Sequence, residues 1–164
     1  MLKFIGRLST QLSVDPKGRV VVPQRVRDQF DARSGETEVM VGSFLAPCVT
    51  LYSAEQYEAQ VRAMESELLD DEASLRKKRK FYGSFTNVTI DKAGRISIPM
   101  HFLERAGISK EVIVIGMQDR VEFWDPTRYE ADADQGGDKD AAETMEAIGR
   151  GRRKLAAQDR RENA

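Results

Sequence analysis

Apolar and polar positions alternate from the start of the chain. Leu8, Leu12 and Val14 interleave with Ser9, Gln11 and Ser13, the period of a strand with one buried face. The branched run Val20-Val21-Val22 predicts a second strand. Pro23 then removes a ladder donor and suits the first turn of a helix. That short helix is expected from Gln24 to Phe30, with Val26 and Phe30 four apart on one face. A polar loop from Asp31 to Glu36 contains Gly35. Two more short strands follow, Glu38 to Val41 and Val49 to Tyr52, joined through Gly42 and Pro47. Ser53-Ala54-Glu55-Gln56 has the spacing of a capping box. The helix it opens carries Tyr57, Val61, Met64 and Leu68 on one stripe, expected to be core or a subunit contact. Asp70-Asp71-Glu72 interrupts it, and Arg76-Lys77-Lys78-Arg79-Lys80 forms a basic run.

The pattern then starts again. Phe85 to Ile90 is a strand, Ile96-Ser97-Ile98 a second, and Met100 to Ala106 a short helix after Pro99, closed by Gly107 as a left-handed cap. Val112 to Ile115 matches the strand at Val39. Val121 to Trp124 matches the strand ending at Tyr52, with Phe123 and Trp124 read as core. Asp125-Pro126 reads as a helix cap, and Tyr129 matches Tyr57. Beyond Glu130 the register is lost. Residues 131–140 are acidic and contain glycine, the composition of a flexible segment. Ala141 to Arg161 fits either a helix or a disordered tail, with a basic cluster from Arg150 to Lys154.

One turn anchors each unit. Asp15-Pro16-Lys17-Gly18-Arg19 recurs as Asp91-Lys92-Ala93-Gly94-Arg95, and Asp, Gly, Arg and the later proline all repeat at an offset of 76 residues. Self-similarity of this kind decides the architecture. The aspartate opens a turn because its carboxylate accepts from backbone amides further on. Gly18 and Gly94 supply a positive φ. Lys17, Arg19, Lys92 and Arg95 then stand at or beside the turn tips, where side chains meet a partner.

Composition sharpens this. The chain has 164 residues, 40% hydrophobic and 32% charged, with a net charge of only −1. The distribution is uneven. Residues 1–30 hold six basic and two acidic side chains, 31–74 two and ten, 75–105 eight and two, and 106–164 ten and thirteen. The positive charge collects in the two segments that carry the repeated turn, the footprint of a polyanion partner. No apolar run reaches the length of a membrane span. The opening residues show no secretory core, so the expected compartment is the cytoplasm. The single cysteine, Cys48, excludes an internal disulfide and a cysteine-built metal site. It reads as a small buried or turn residue. His101 is the only histidine, with no nucleophile or orienting carboxylate placed beside it, and there is no phosphate-binding glycine loop. No catalytic residue, metal or other cofactor is expected, and no small-molecule substrate.

Arg19 and Arg95 admit two readings. Each either forms an ion pair back to Asp15 or Asp91, locking the turn, or offers its planar fork to a phosphate or a guanine edge. Lys17, Lys92, Arg25 and Arg27 suit phosphate contacts, which position a protein on DNA without reading sequence. The Arg76 to Lys80 run and the Arg150 to Lys154 cluster read either as solvated helix surface or as further phosphate contacts.

With both turns placed, the chain resembles the MraZ family of bacterial transcriptional regulators. The resemblance rests on Asp15, Gly18, Arg19 and Pro23 and on Asp91, Gly94, Arg95 and Pro99, and it spans Phe4 to Glu130. It implies a mainly β fold with short helices: two interleaved AbrB-like swapped-hairpin modules, residues 1–75 and 76–130, forming a double-split β-barrel, with a charged tail at 131–164. It further implies a ring-shaped homo-oligomer, nucleoid-associated, that binds double-stranded DNA at short direct repeats upstream of the cell-division and cell-wall genes. The basic residues of the turns belong to the recognised surface. In the second module Ala93, His101 and Leu103 replace Lys17, Arg25 and Arg27, so that module is expected to contact DNA more weakly or to serve more in packing. The alternative is an AbrB-like antitoxin or interaction module whose tail engages a protein partner.

Overall fold

Strand β1 (Ile5–Ser13) forms where the alternating register begins. The turn at Asp15 sends the chain into β2 (Arg19–Val21), and α1 (Gln24–Arg27) follows Pro23. The computed structural model describes residues 5–30, 37–45 and 47–163. The polar loop expected at 31–36 lies outside them. The hairpin β3 (Thr37–Gly42) and β4 (Val49–Ser53) comes next. Helix α2 (Ala54–Glu67) starts at the expected box, where the Ser53 hydroxyl accepts from the Gln56 amide at 3.2 Å. Asp71 ends the interruption by capping α3 (Glu72–Tyr82), its carboxylate accepting from the Ser74 amide at 3.0 Å.

The second unit repeats the order: β5 (Phe85–Ile90), β6 (Arg95–Ser97), α4 (Met100–Ala106), β7 (Glu111–Met117) and β8 (Val121–Trp124). Gly107 ends α4 at φ 67°, as its position predicts. Helix α5 (Pro126–Glu162) opens at Asp125, whose carboxylate accepts from the Arg128 amide at 3.0 Å.

Six strands form one antiparallel sheet in the order β1-β7-β8-β4-β3-β5, and β2 pairs with β6 as a separate ribbon. The order interleaves the two units. β1 pairs with β7 of the other unit, β5 pairs with β3, and β4 meets β8. Neither unit can complete its sheet alone. Among the described residues hydrogen bonding does not close a barrel. The turns at Asp15 and Asp91 lift the chain off the two outer strands, and the segments beyond them bond to each other instead.

The core lies beneath the ribbon. Val20, Val22, Ile96 and Ile98 point inward with Val39, Val41, Leu51, Val114 and Phe123, all at most 1% exposed. Phe123 and Trp124 are buried, as expected, and so is Cys48. The α2 stripe is half-buried rather than core. It rests on α3 and β5 through aromatic contacts, with Tyr57 stacked on Phe81 at 6.0 Å and tilted on Phe85 at 5.1 Å. At the β7–β8 turn, buried Glu122 accepts from Trp124 Nε1 at 2.9 Å and from Arg120 Nε at 2.9 Å.

The chain divides into two compact units, residues 1–129 and 130–164. The second is helical. The flexible segment expected at 131–140 is part of α5, and only Gly137 leaves helical geometry (φ 52°, ψ −139°). Ala131, Ala133 and Gln135 favour the helix, and no proline or β-branched residue interrupts that stretch. No helix is long and apolar enough to cross a membrane among the described residues.

Candidate nucleic-acid interface

The two turns have the same geometry, bond for bond. In the first, the Gly18 amide donates to Asp15 O at 2.9 Å and the Asp15 amide to Arg19 O at 3.0 Å. Asp15 Oδ1 accepts from the amides of Lys17 and Arg19, both at 2.9 Å, and Oδ2 accepts from Arg19 Nε at 2.5 Å. In the second, the Gly94 amide reaches Asp91 O at 2.9 Å, and Asp91 Oδ1 takes the amides of Ala93 and Arg95 at 2.9 Å each. Arg95 Nε donates to Asp91 Oδ2 at 3.1 Å. Gly18 and Gly94 both stand at φ 78°, where a side chain is strained. The backbone amide of Arg19 holds the Asp15 carboxyl below its usual range, against some burial, with the Arg19 side chain and Lys17 amide adding to it. Arg95 and Ala93 act on Asp91 in the same way.

So the ion pair to the turn aspartate is formed at both arginines. It does not bury them: their side chains are 36% and 39% exposed. The bond uses Nε alone, and a guanidinium has four further N–H donors on its two Nη atoms.

The ribbon brings the two arginines together. Its register pairs Arg19 with Ser97, Val20 with Ile96 and Val21 with Arg95. Side chains alternate across a strand, and Val20 and Ile96 are each 1% exposed on the inner side. Arg19, Val21, Arg95 and Ser97 therefore share the outer side. Arg19 and Arg95 are diagonal neighbours there, with backbones about 7–8 Å apart by strand geometry. Each strand is also bonded to the opposite turn: the Val22 amide donates to Gly94 O at 2.8 Å, and the Ile98 amide to Gly18 O at 2.9 Å. The turns and ribbon thus form one rigid unit in which each module holds the other's tip.

The remaining candidates fall in different places. Lys17 and Lys92 are exposed at the tips, and Arg25 is exposed on α1. Arg27 is half-buried. Its Nε donates to Val22 O at 3.0 Å, and its guanidinium lies directly over Gly94 of the other module's turn. Leu103, its counterpart, is buried and lies over Gly18. The Arg-for-Leu difference is therefore a packing asymmetry at the two tips as well as a charge asymmetry. His101 is exposed. Lys78 turns inward from the basic run and bonds Glu65 at 2.7 Å and Asp70 at 3.1 Å. Its neighbours Arg76, Lys77, Arg79 and Lys80 are exposed on α3. Val21 and Met100 were not foreseen as surface residues. Val21 is 43% exposed in the middle of a branched apolar run, and Met100 is 52% exposed beside Gly18. The signal for Val21 lay in the pleat: burying Val20 and Val22 forces the residue between them outward.

Comparison with known proteins agrees with this repeat. The family described as "MraZ protein, putative antitoxin-like" matches twice, over residues 7–80 and 81–150. The second match runs past Glu130, so part of the tail has a family counterpart. Similar proteins include the transcriptional regulator MraZ of Mycoplasmoides gallisepticum, 32% identical over 87% of this chain and 97% of the relative. That of Acetivibrio thermocellus is 36% identical over 74% and 81%. That of Desulforapulum autotrophicum is 34% identical over 76% and 82%.

Proposed function

The chain belongs to the MraZ family, and from that premise we propose that it regulates transcription by binding double-stranded DNA with the outer side of the β2–β6 ribbon. One observation carries the reading: Arg19 and Arg95, from different modules, are held one diagonal step apart on the same outward side. In this reading the aspartates orient the arginines. With Nε tied to Asp15 or Asp91, the Nη groups are presented to a guanine edge or a phosphate at little entropic cost. Lys17 and Lys92 at the tips, with Arg25 and Arg27 on α1, supply phosphate contacts that fix register. No catalytic step, cofactor or small-molecule substrate enters this role, and its place is the cytoplasm at the nucleoid.

A single ribbon offers few contacts. Short direct repeats would be read by several ribbons in a ring-shaped homo-oligomer, since linked weak sites gain effective concentration. The proposed targets are promoters of the cell-division and cell-wall gene cluster. The test is a mobility shift on DNA bearing tandem or single elements, at two salt concentrations. Preference for the tandem element and a steep loss of affinity with salt are expected, because each neutralised phosphate releases counterions. Equal affinity for both DNAs, or no shift at low salt, refutes the proposal. The antitoxin alternative draws on the exposed helix of residues 130–162. A stoichiometric, unrelated protein co-purifying from native lysate would favour it.

A further inference from the structure

The β2–β6 ribbon has a two-fold backbone that its outer side chains break. Its register is symmetric: Arg19 faces Ser97, Val20 faces Ile96 and Val21 faces Arg95. Its closing bonds match as well, the Val22 amide to Gly94 O and the Ile98 amide to Gly18 O. Residues 76 apart therefore hold equivalent places, which makes Arg19 equivalent to Arg95 and Val21 to Ser97. The first pair is identical. The second sets the two methyl groups of a valine against a hydroxyl.

The fold does not ask for valine at this place. Val20 and Val22, at most 1% exposed, fill the core, and Val21 points away from it at 43% exposure. The equivalent strand is built with an exposed serine. A lone exposed apolar side chain is ordinary on a protein surface. This one stands directly opposite Arg95 and two residues from Arg19, on the side that carries both arginines. Each arginine is bonded through Nε to its own turn aspartate, so the pair flank the valine and leave it open. A protein partner fits this face poorly, because one valine among cationic and polar groups offers no apolar core. The major groove of DNA fits it better. The groove admits a two-stranded ribbon, guanine offers an arginine two acceptors there, and thymine adds a methyl group that the other three bases lack. Two residues along a strand cover about 6.8 Å, the rise of roughly two base pairs.

Building on the ribbon as a reader of DNA, we propose that Val21 is a specificity-determining residue that packs on the C5 methyl of a thymine beside the guanine read by Arg95. Ser97 has no methyl group to offer beside Arg19. The two halves of the face thus accept different bases. The ribbon sits on DNA in one orientation and prefers a non-palindromic element.

The test is a selection from a pool of duplexes with a randomised core, run with the full chain. Wild type is expected to enrich an element in which a thymine accompanies one guanine and not the other. Val21→Ser is expected to keep the guanines and lose the thymine. Ser97→Val makes the halves alike and is expected to gain a second thymine, related to the first by the dyad. Each substitution installs the residue already found at the equivalent place, and emission from buried Trp124 in urea checks the fold. The wild-type element is then labelled and titrated with thymine or uracil at that position, which differ by the methyl alone. Uracil should weaken wild type about fourfold, the worth of one buried methyl, and leave Val21→Ser unaffected. Equal affinity of wild type for the two bases, or the same loss in Val21→Ser, overturns the proposal. So does a Ser97→Val element identical to that of wild type. Arg19→Ala and Arg95→Ala score the guanines separately. Guanine preference lost in those variants with no effect of uracil sinks the valine contact alone. No enriched element with wild type sinks the ribbon reading and the contact with it.

Discussion

Gly18 and Gly94 occupy matching turns at the same φ, yet alanine at the two positions has unequal consequences. Both substitutions place a side chain in the left-handed region, at a cost of about 1–2 kcal/mol. The difference lies in what the new methyl meets. At Gly18 it falls 2.6 Å from the backbone oxygen of Ile98 and 3.2 Å from Leu103 Cδ1. Neither can withdraw. Ile98 is tied to Gly18 O through its own amide at 2.9 Å, and Leu103 is buried. Overpacking of this kind adds roughly 1–3 kcal/mol. At Gly94 the atoms nearest the methyl belong to the Arg27 guanidinium, at 2.7 Å, the far end of a flexible side chain. Gly18→Ala should therefore cost about 2–5 kcal/mol and Gly94→Ala about 1–2 kcal/mol. The single tryptophan, Trp124, is buried and reports unfolding by its emission. In urea, with a slope of about 2 kcal/mol per M, Gly18→Ala lowers the midpoint by roughly 1–2.5 M and Gly94→Ala by roughly 0.5–1 M at one fixed protein concentration. Equal shifts, or a larger one for Gly94→Ala, would refute the packing asymmetry of the two tips.

The other predictions concern the arginine, the acids and the β7–β8 turn. Arg27→Leu copies the second module's arrangement, so urea denaturation should show stability within about 1 kcal/mol of wild type, while a DNA titration shows weaker binding; unchanged DNA affinity would remove Arg27 from the interface. Asp15 and Asp91 have carboxyls depressed below the ordinary value. Their contribution is therefore present above the unfolded carboxylate value and is lost as pH falls through the lower folded values. Thermal melts of Asp15→Asn and Asp91→Asn should accordingly depend less on pH than wild type across the acid limb only, and a change confined to neutral pH would contradict the assignment. Glu122→Ala leaves Trp124 Nε1 and Arg120 without their buried acceptor and should cost about 3 kcal/mol, read from the urea midpoint.

The turns were legible because their chemistry is local. Asp15, Gly18 and Arg19 each do in the structure what their residue types require, and the second copy at Asp91 repeats it. Strand positions followed from the same logic, since burial of Val20 and Ile96 is written in alternation. Partnership between strands was not. Nothing in β1 says that it pairs with β7 rather than β3, because pairing across 100 residues depends on where the turns aim the chain. The same holds for Arg27. Its basic character suggested a DNA contact, and its place over Gly94 emerged only when the two modules interlocked. Leu103 at the equivalent position was the available clue, since an exchange of arginine for leucine marks a site where the stem of the side chain packs. Over 131–140 acidity and glycine pointed to flexibility while Ala131, Ala133 and Gln135 favour a helix; the segment is helical and breaks at Gly137.

The measurement that bears most directly on the shared arginine face is DNA affinity as a function of salt for wild type, Arg19→Ala and Arg95→Ala, with assembly checked by light scattering. If both arginines touch the same duplex, each variant keeps its assembly, binds more weakly, and loses about one unit of salt slope for each phosphate contact removed. Wild-type affinity and slope in either variant, with the fold intact, would contradict the account.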